Sequence, residues 1–393
     1  MNTAILKPEV QQFIREFEGD ITKLAFAGSP FAEISTQELL EQIDSREKIR
    51  NKLPVWYSTS NIYYPPKLNL EQTSSERTAK YKSELCDGSV MADITGGFGV
   101  DSYYFSERFK GVDHFEQQEK LSEIAKHNFR ALGVENVHCH NEDGLKGLRD
   151  KQYDLIYVDP SRRTNEKRKV FLLEDCTPNI ISNIEYLLTH TKLLMVKTSP
   201  MLDISIGIKS LKKVKEIHVV ALNNEVKELL WLLTSDDVVS PKVATVNLLA
   251  KNRETFDFVY GSQDESKFGD PASFLYEPNS AILKSGGFSM ISEVFGIEKL
   301  HKHSHLYTSN ELIDFPGRRF RIKKIVPYNK KNIKTAIDFK KANVTVRNFP
   351  ESVESLRKKW KINEGGDLYL FFTTGIDDRK IMLVCEKITN KLG

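Results

Sequence analysis

The sequence predicts an α/β fold built on a mostly parallel sheet with helices on both faces, and three observations predict it. From about residue 74 to residue 233, strand-length apolar runs alternate with helix-length amphipathic ones. The run from Val90 to Ile94 passes into Thr95-Gly96-Gly97-Phe98-Gly99 and then into a helix from Val100 to Phe105, a unit that offers free backbone N–H groups to a ligand. Acidic residues stand at the carboxyl ends of successive strands, where open sheets of this kind bind their ligands.

Residues 1–68 read as a helical domain. Val10, Phe13, Ile14 and Phe17 fall on one helical face, and Ser35 with Glu38 forms a capping box before Leu39, Leu40 and Ile43. Prolines in Leu53-Pro54-Val55-Trp56-Tyr57 and Tyr63-Tyr64-Pro65-Pro66 close it. Their aromatics suit a substrate cleft or, the favoured reading, packing at the junction with the next domain. Residues 69–238 hold the sheet. A helix runs from Ser74-Ser75-Glu76 to about Glu84; strands come at 90–94, 112–115, 137–140, 154–158, 193–197, 217–221 and 226–233, with helices at 100–105, 118–131 and 179–188. After residue 238 the alternation stops. Residues 239–325 read as a small α+β domain with strands at 243–249 and 255–260. Residues 326–393 read as a second, with strands at 342–346, 368–373 and 381–386 and a helix at 352–360.

Composition narrows the class. At 393 residues and 40% hydrophobic, the chain is long enough for two to four domains with real cores. Four cysteines, Cys86, Cys139, Cys176 and Cys385, have no paired spacing, which argues against a disulfide framework or a zinc site and suits a reducing cytoplasm. Met1 to Asp20 alternates charged with apolar residues, so no secretory signal is expected, and no apolar run approaches the roughly 20 residues of a membrane span.

The strand ends carry the chemistry. A dinucleotide site wants glycine at the third position of Gly-x-Gly-x-x-Gly, where helix and strand pack closest, and Gly97-Phe98-Gly99-Val100-Asp101-Ser102 places serine there. The alternative fits better. Asp93, inside the first strand, suits the ammonium of an amino acid, directly or through water. Glu116, 23 residues later, suits both hydroxyls of a ribose, and Asp143, after the third strand, suits an adenine amino group. S-adenosylmethionine carries all three. Thr95, Gly96, Gly97, Gly99 and Gln117 complete the expected cofactor set, with Asp159 at the end of the fourth strand.

Here the sequence resembles the class I S-adenosylmethionine-dependent methyltransferases over about 70–235. More narrowly, it is similar to bacterial methyltransferases with a C-terminal THUMP-like domain. The segments that carry this are Gln72–Lys82, Asp159-Pro160-Ser161-Arg162-Arg163, Lys197–Asp203, Asn223-Asn224-Glu225 through Leu230, His305-Leu306-Tyr307, Asp314-Phe315-Pro316-Gly317-Arg318 and Ala342 through Pro350. The resemblance implies a helical N-terminal domain, a Rossmann-like methyltransferase, a ferredoxin-like domain and a THUMP-like tail, with no settled substrate.

Asp159-Pro160-Ser161-Arg162 stands where such enzymes keep their reaction loop, and is the expected catalytic segment. The proline fixes the turn, and Asp159 is the candidate for positioning the acceptor and for a base; Lys197 and Asp203 are weaker candidates, Asp203 as a helix cap. Asp-Pro-Pro-aromatic loops serve exocyclic amines, but serine and arginine stand here. Uridine C5 chemistry needs a cysteine on the next strand, and Lys197-Thr198-Ser199-Pro200 has none. Arg163, followed by Lys167, Arg168 and Lys169, reads as a basic rim for phosphate.

Charge is concentrated toward the C-terminus. Between Arg318 and Lys361 stand fifteen Lys or Arg and three Asp or Glu, more than the whole chain's net +3, interleaved with Phe320, Tyr328, Phe339, Phe349 and Trp360. Cations with aromatics suit RNA. Arg318, Arg319, Lys341, Arg347, Arg357, Lys358 and Lys359 are the expected RNA contacts, beside Arg163. His301, His303 and His305 alternate as if on one strand face, but no acid or cysteine accompanies them and no metal is expected. The leading expectation is methylation of a base in tRNA or rRNA. The alternatives are a protein or small-molecule acceptor, and an RNA-binding protein that keeps the fold without turnover.

Overall fold

The computed structural model describes residues 1–162, 173–262 and 266–389. The chain forms two compact units. Unit 1 comprises residues 1–215 and 229–238; unit 2 comprises 216–228 and 239–393.

Unit 1 opens with short helices: α1 (Pro8–Glu16), α2 (Ile21–Ala27), α3 (Thr36–Ile49), α4 (Pro54–Ser58), α5 (Lys67–Gln72) and α6 (Glu76–Ser83). The expected capping box is present at α3, where the Ser35 hydroxyl accepts from Glu38 N and the Glu38 carboxylate accepts from Ser35 N, each at 3.2 Å. Trp56, Tyr63 and Tyr64 are buried and do not line a cleft. Together with Ile5, Ile14 and Leu39 they share one apolar core with Phe98, Val100, Tyr104 and Ile124 of the sheet region. The helices therefore fold against the sheet's own helices and not around a separate centre.

The sheet of unit 1 contains β1 (Gly88–Asp93), β2 (Phe109–Phe115), β3 (Val137–His140), β4 (Leu155–Val158), β7 (Leu194–Thr198) and the second half of β9 (Glu225–Leu233). Two-residue strands β5 (Ser161–Arg162) and β6 (Cys176–Thr177) pair with each other. The order is β9-β7-β4-β1-β2-β3, with β9 antiparallel to β7 and the rest parallel. All four residues of β4 are buried, as a central parallel strand covered on both faces requires. Helices α7 (Val100–Ser106), α8 (Glu119–Ala131), α9 (Gly144–Gly147), α10 (Ile184–Thr189) and α11 (Ile204–Leu211) follow or cover the strands. The helix expected from residue 179 begins only at Ile184. Asn179 first forms a local turn, its side chain accepting from Ser182 N and its carbonyl from the Asn183 amide, and such bonds compete with the helix.

In unit 2, β8 (Val214–Leu222, of which 216–222 belong here) turns through Asn223 and Asn224, both at positive φ, into the first half of β9. β10 (Lys242–Leu248) pairs parallel with β8, and β11 (Arg253–Val259) antiparallel with β10. A seven-stranded sheet comes next, in the order β13-β14-β12-β15-β18-β17-β16. Its strands are β12 (Phe274–Pro278), β13 (Glu298–Lys299), β14 (Tyr307–Ser309), β15 (Gly317–Pro327), β16 (Asn343–Arg347), β17 (Leu368–Thr374) and β18 (Lys380–Lys387); α12 (Ser280–Ser285), α13 (Phe288–Phe295), α14 (Lys330–Ala336) and α15 (Val353–Trp360) pack with them. β15 runs across residues 325–326, where the sequence suggested a boundary, and pairs with β12 on one side and β18 on the other. His301, His303 and His305 lie in the turn between β13 and β14, not on a strand. His301 pairs with Asp378 and Asn348, and the His305 ring stacks on Phe288 at 3.7 Å. Among the described residues no group of three His, Cys, Asp or Glu is placed to hold a metal ion, and no helix is long and apolar enough to cross a membrane.

Candidate active site

The carboxyl ends of β1, β2, β3 and β4 bring the expected acids together. The loop after β1 is tied to both neighbouring strands: Ile94 N donates to the Tyr157 carbonyl at 3.1 Å and Gly96 N to the Phe115 carbonyl at 2.8 Å. Two of its glycines are required sterically. A Cβ on Gly96 would lie 2.2 Å from the His114 ring, and Gly99 holds φ +89° with the Phe129 ring 2.5 Å from where its Cβ would be. Gly97 differs. It holds φ +57°, and a Cβ there would meet nothing nearer than the Thr95 carbonyl at 3.8 Å, so its backbone is open to close approach.

Asp93 lies beneath this loop and is 1% exposed. One carboxylate oxygen accepts from the Ser102 hydroxyl at 2.6 Å and the other from Thr95 N at 3.1 Å. Ser102 also bonds His114 Nδ1 at 2.9 Å. Burial raises the Asp93 carboxyl to about 7 and lowers the His114 imidazole to about 3. Asp93 thereby ties the Thr95 backbone of the loop to Ser102 of α7.

Glu116 is on the loop side. Its carboxylate accepts from Gly97 N at 3.0 Å and from Gln118 N at 2.7 Å. Gln117 donates to Asp143 at 2.9 Å, while Asp143 caps α9 by accepting from Lys146 N at 3.2 Å. Asp159 N donates to the Thr95 hydroxyl at 2.7 Å, which joins the β4 loop to the β1 loop, and the Asp159 carboxylate pairs with Lys197 at the end of β7. Pro160 is buried and Ser161 exposed. Arg162 is the last described residue of this segment; Arg163, Lys167, Arg168 and Lys169 lie outside the described residues. Asp203 caps α11, accepting from Ser205 N and Ile206 N.

Sequence reasoning missed a second buried network. Lys82 on α6 is fully buried, 3.2 Å from Asp101 and donating to the Ser74 hydroxyl at 3.0 Å. Asp101 also accepts from Ser74 and from Tyr157, each at 2.9 Å. Burial pushes the Asp101 carboxyl upward, but Lys82 and Lys197 outweigh it and hold it below the ordinary carboxylate value. These four side chains come from α6, α7, β4 and the turn before α6, so the network locks the glycine loop's helix to its neighbours. The only sequence signal was the Gln72–Lys82 segment, which carried no assigned role.

The C-terminal cations divide into two groups. Arg318 and Arg347 both pair with Glu277, which is 2% exposed; Arg319 pairs with Asp314, Arg357 with Glu364, and Lys359 with Glu351. Lys341 and Lys358 are exposed and have no ion pair among the described residues.

The site's residues fit S-adenosylmethionine: an open glycine backbone at Gly97, a carboxylate held against it at Glu116, and an acid after the third strand at Asp143. The family model for protein-L-isoaspartate(D-aspartate) O-methyltransferase matches residues 64–164, that for a ferredoxin-like domain 274–316, and that for a THUMP domain-like family 317–387. A crystal structure described as a "putative methyltransferase" from Porphyromonas gingivalis W83 is 30% identical, with TM-score 0.88, covering 98% of this chain and 99% of that one. A "putative methyltransferase" from Streptococcus mutans in complex with SAH is 14% identical, with TM-score 0.31, covering 40% of this chain and 96% of its own. An rRNA methylase from Streptococcus thermophilus is 16% identical, with TM-score 0.30, over 41% and 96%. No curated protein matches the sequence.

Proposed function

The chain belongs to the methyltransferase family of the Porphyromonas gingivalis W83 protein, with S-adenosylmethionine as cofactor, and from that premise we propose that it methylates a base in tRNA or rRNA. When bound, S-adenosylmethionine supplies an activated methyl group on a sulfonium. The chain's own residues bind and orient. Glu116 suits the ribose hydroxyls, Asp143 with Gln117 the adenine, and the Thr95–Gly99 backbone the amino-acid portion. Thr95 fixes the Asp159 backbone and Lys197 fixes its carboxylate, so the β4 loop presents one held acceptor group to the incoming nucleophile, for orientation and proton removal.

The observation that carries the RNA reading is the excess of lysine exposed in the THUMP-like segment and not taken up by carboxylates, with Lys341 and Lys358 as its clearest members. A protein acceptor is the second reading, favoured by the isoaspartate O-methyltransferase model. That match spans Asp93, Glu116 and Asp143, the residues assigned to cofactor, and so speaks first for the cofactor half. The test offers purified protein and methyl-labelled S-adenosylmethionine to RNA, DNA and protein from cells lacking the gene. Label in RNA is the expected result, and nucleoside analysis names the base. Label confined to protein overturns the RNA reading.

A further inference from the structure

A cavity of about 600 Å³ lies wholly within unit 2. Its walls include two segments that methyl transfer leaves without a role: the turn at Asn223-Asn224 and the loop from Asp314 to Arg318. The walls are built, not a chance gap. Asn224 N donates to the Asn247 side chain and Ser280 N to the Asn224 side chain, each at 2.7 Å. The Asn247 and Asn279 amides both donate to Glu254 at 3.0 Å. Gly317 packs so closely that a Cβ there would lie 2.2 Å from the Glu277 carbonyl. Arg319, 8% exposed, pairs with Asp314 and so closes the loop on itself.

The lining has a readable chemistry. Arg253, Arg318, Arg319 and Lys387 share the lining with two carboxylates, Glu254 and Asp314; the buried Glu277 holds Arg318, and Asp314 holds Arg319. Asn252 brings a side-chain amide with no hydrogen-bond partner among the described residues, and Asn224 brings another, whose oxygen accepts from Ser280 N. Phe295 contributes an aromatic ring held by Phe256 at 5.9 Å and Phe315 at 5.3 Å. Amides read base edges, aromatic rings stack bases, and arginine or lysine holds phosphate.

We propose that this cavity binds one unstacked nucleotide, its base against Phe295 and the Asn224 and Asn252 amides and its phosphate toward Arg253 and Lys387. That the nucleotide belongs to RNA rests on the proposed function; the chemistry of the cavity does not.

The test uses the full chain, with calorimetric titration of the four nucleoside monophosphates and fluorescence anisotropy of a labelled single-stranded RNA oligomer. Thr255→Trp fills the cavity without changing its charge, and Asn252→Glu places a carboxylate on its wall; both positions are exposed, so the fold should survive. Lys23→Glu, exposed on α2 in unit 1, controls for long-range electrostatics. Both cavity variants should weaken binding by about tenfold or more, a loss on the scale of one base-stacking contact, and Lys23→Glu by less than about threefold. Binding of RNA alone assigns the nucleotide to a polymer, and binding of monophosphates alone to a free nucleotide. Cavity-dependent binding of monophosphates without methyl transfer to RNA would keep this site while the proposed function falls. RNA methylated normally, with both cavity variants binding as wild type, would overturn the site and leave the function. Binding of neither ligand would also overturn it.

Discussion

Lys82 and Lys358 are both lysines on eight-residue helices, in opposite surroundings. Lys82 is fully buried against Asp101 and Ser74; Lys358 is exposed in a run of cations. A buried cation must find its partner within the fold, because its desolvation is large and removing one member leaves the other charged and stranded. A surface cation keeps its water, contributes little to stability, and stays available to an outside partner. The contrast extends across the regions they represent. Beneath the glycine loop, charge holds structure; on the THUMP-like surface, the charge left over is free to bind.

The largest break in that contrast would come from Lys82→Met, which keeps the side chain's bulk and removes its charge. Stability should fall by about 3–5 kcal/mol in urea titration, with Lys358→Met changing it by no more than ~0.5 kcal/mol. Equal effects would erase the distinction.

The second test is pH. Asp93 is raised from 3.8 to about 7 by burial, so between those values the native state holds a proton that the unfolded chain has lost, and its contribution to stability falls as pH rises from about 4 to about 7. His114 is lowered from 6.5 to about 3 by burial, so the unfolded chain takes a proton the native state refuses, and its contribution falls as pH drops through that window. The two slopes oppose each other over their shared range. Relative to wild type, Asp93→Asn should make stability fall as pH is lowered from 6.5, and His114→Gln should make it fall as pH is raised from 4, each by on the order of a few kcal/mol. Denaturation at stepped pH measures both, and parallel curves for all three proteins would mean that neither group titrates with folding in this window.

Glu116→Ala comes next. Losing its carboxylate should weaken S-adenosylhomocysteine binding by about 1.5–3 kcal/mol, roughly tenfold to a hundredfold, in calorimetric titration, with RNA affinity unchanged. Normal cofactor affinity would remove Glu116 from the site. The smallest effect is expected from Lys341→Glu with Lys358→Glu: unchanged thermal stability, but a slope of log affinity against log salt shallower by about 0.7 for each single-strand phosphate no longer neutralised. An unchanged slope would take these two lysines out of the interface.

Much of unit 1 was legible because its signals are local. A strand, three glycines and a helix declare themselves within sixteen residues from Val90 to Phe105, and the apolar run at Leu155–Val158 marks a central strand by itself. The network around Lys82 was not legible, because a lysine on a short helix reads as a surface cation until its partners on α7 and β4 are known. The same long range hid Glu277, whose two arginines stand 41 and 70 residues away. Two of the expected RNA contacts, Arg318 and Arg347, are thus structural ties as well as charges. The histidines misled for the converse reason: alternation at 301, 303 and 305 looks like a strand, but His305 takes φ +50° in a turn.

The path of the backbone between the units constrains how the protein can be dissected. The chain passes from unit 1 to unit 2 at 215–216, back at 228–229, and across again at 238–239. A truncation ending at 238 looks like a tidy catalytic half in a gene, yet it carries the β8–β9 hairpin away from β10, which pairs with β8 over all seven residues from Glu216 to Leu222. It would expose that apolar edge, an invitation to strand pairing between copies. Separating the roles of the two units is therefore a task for point substitutions in the whole chain, and a soluble half would have to be cut by removing the hairpin as well.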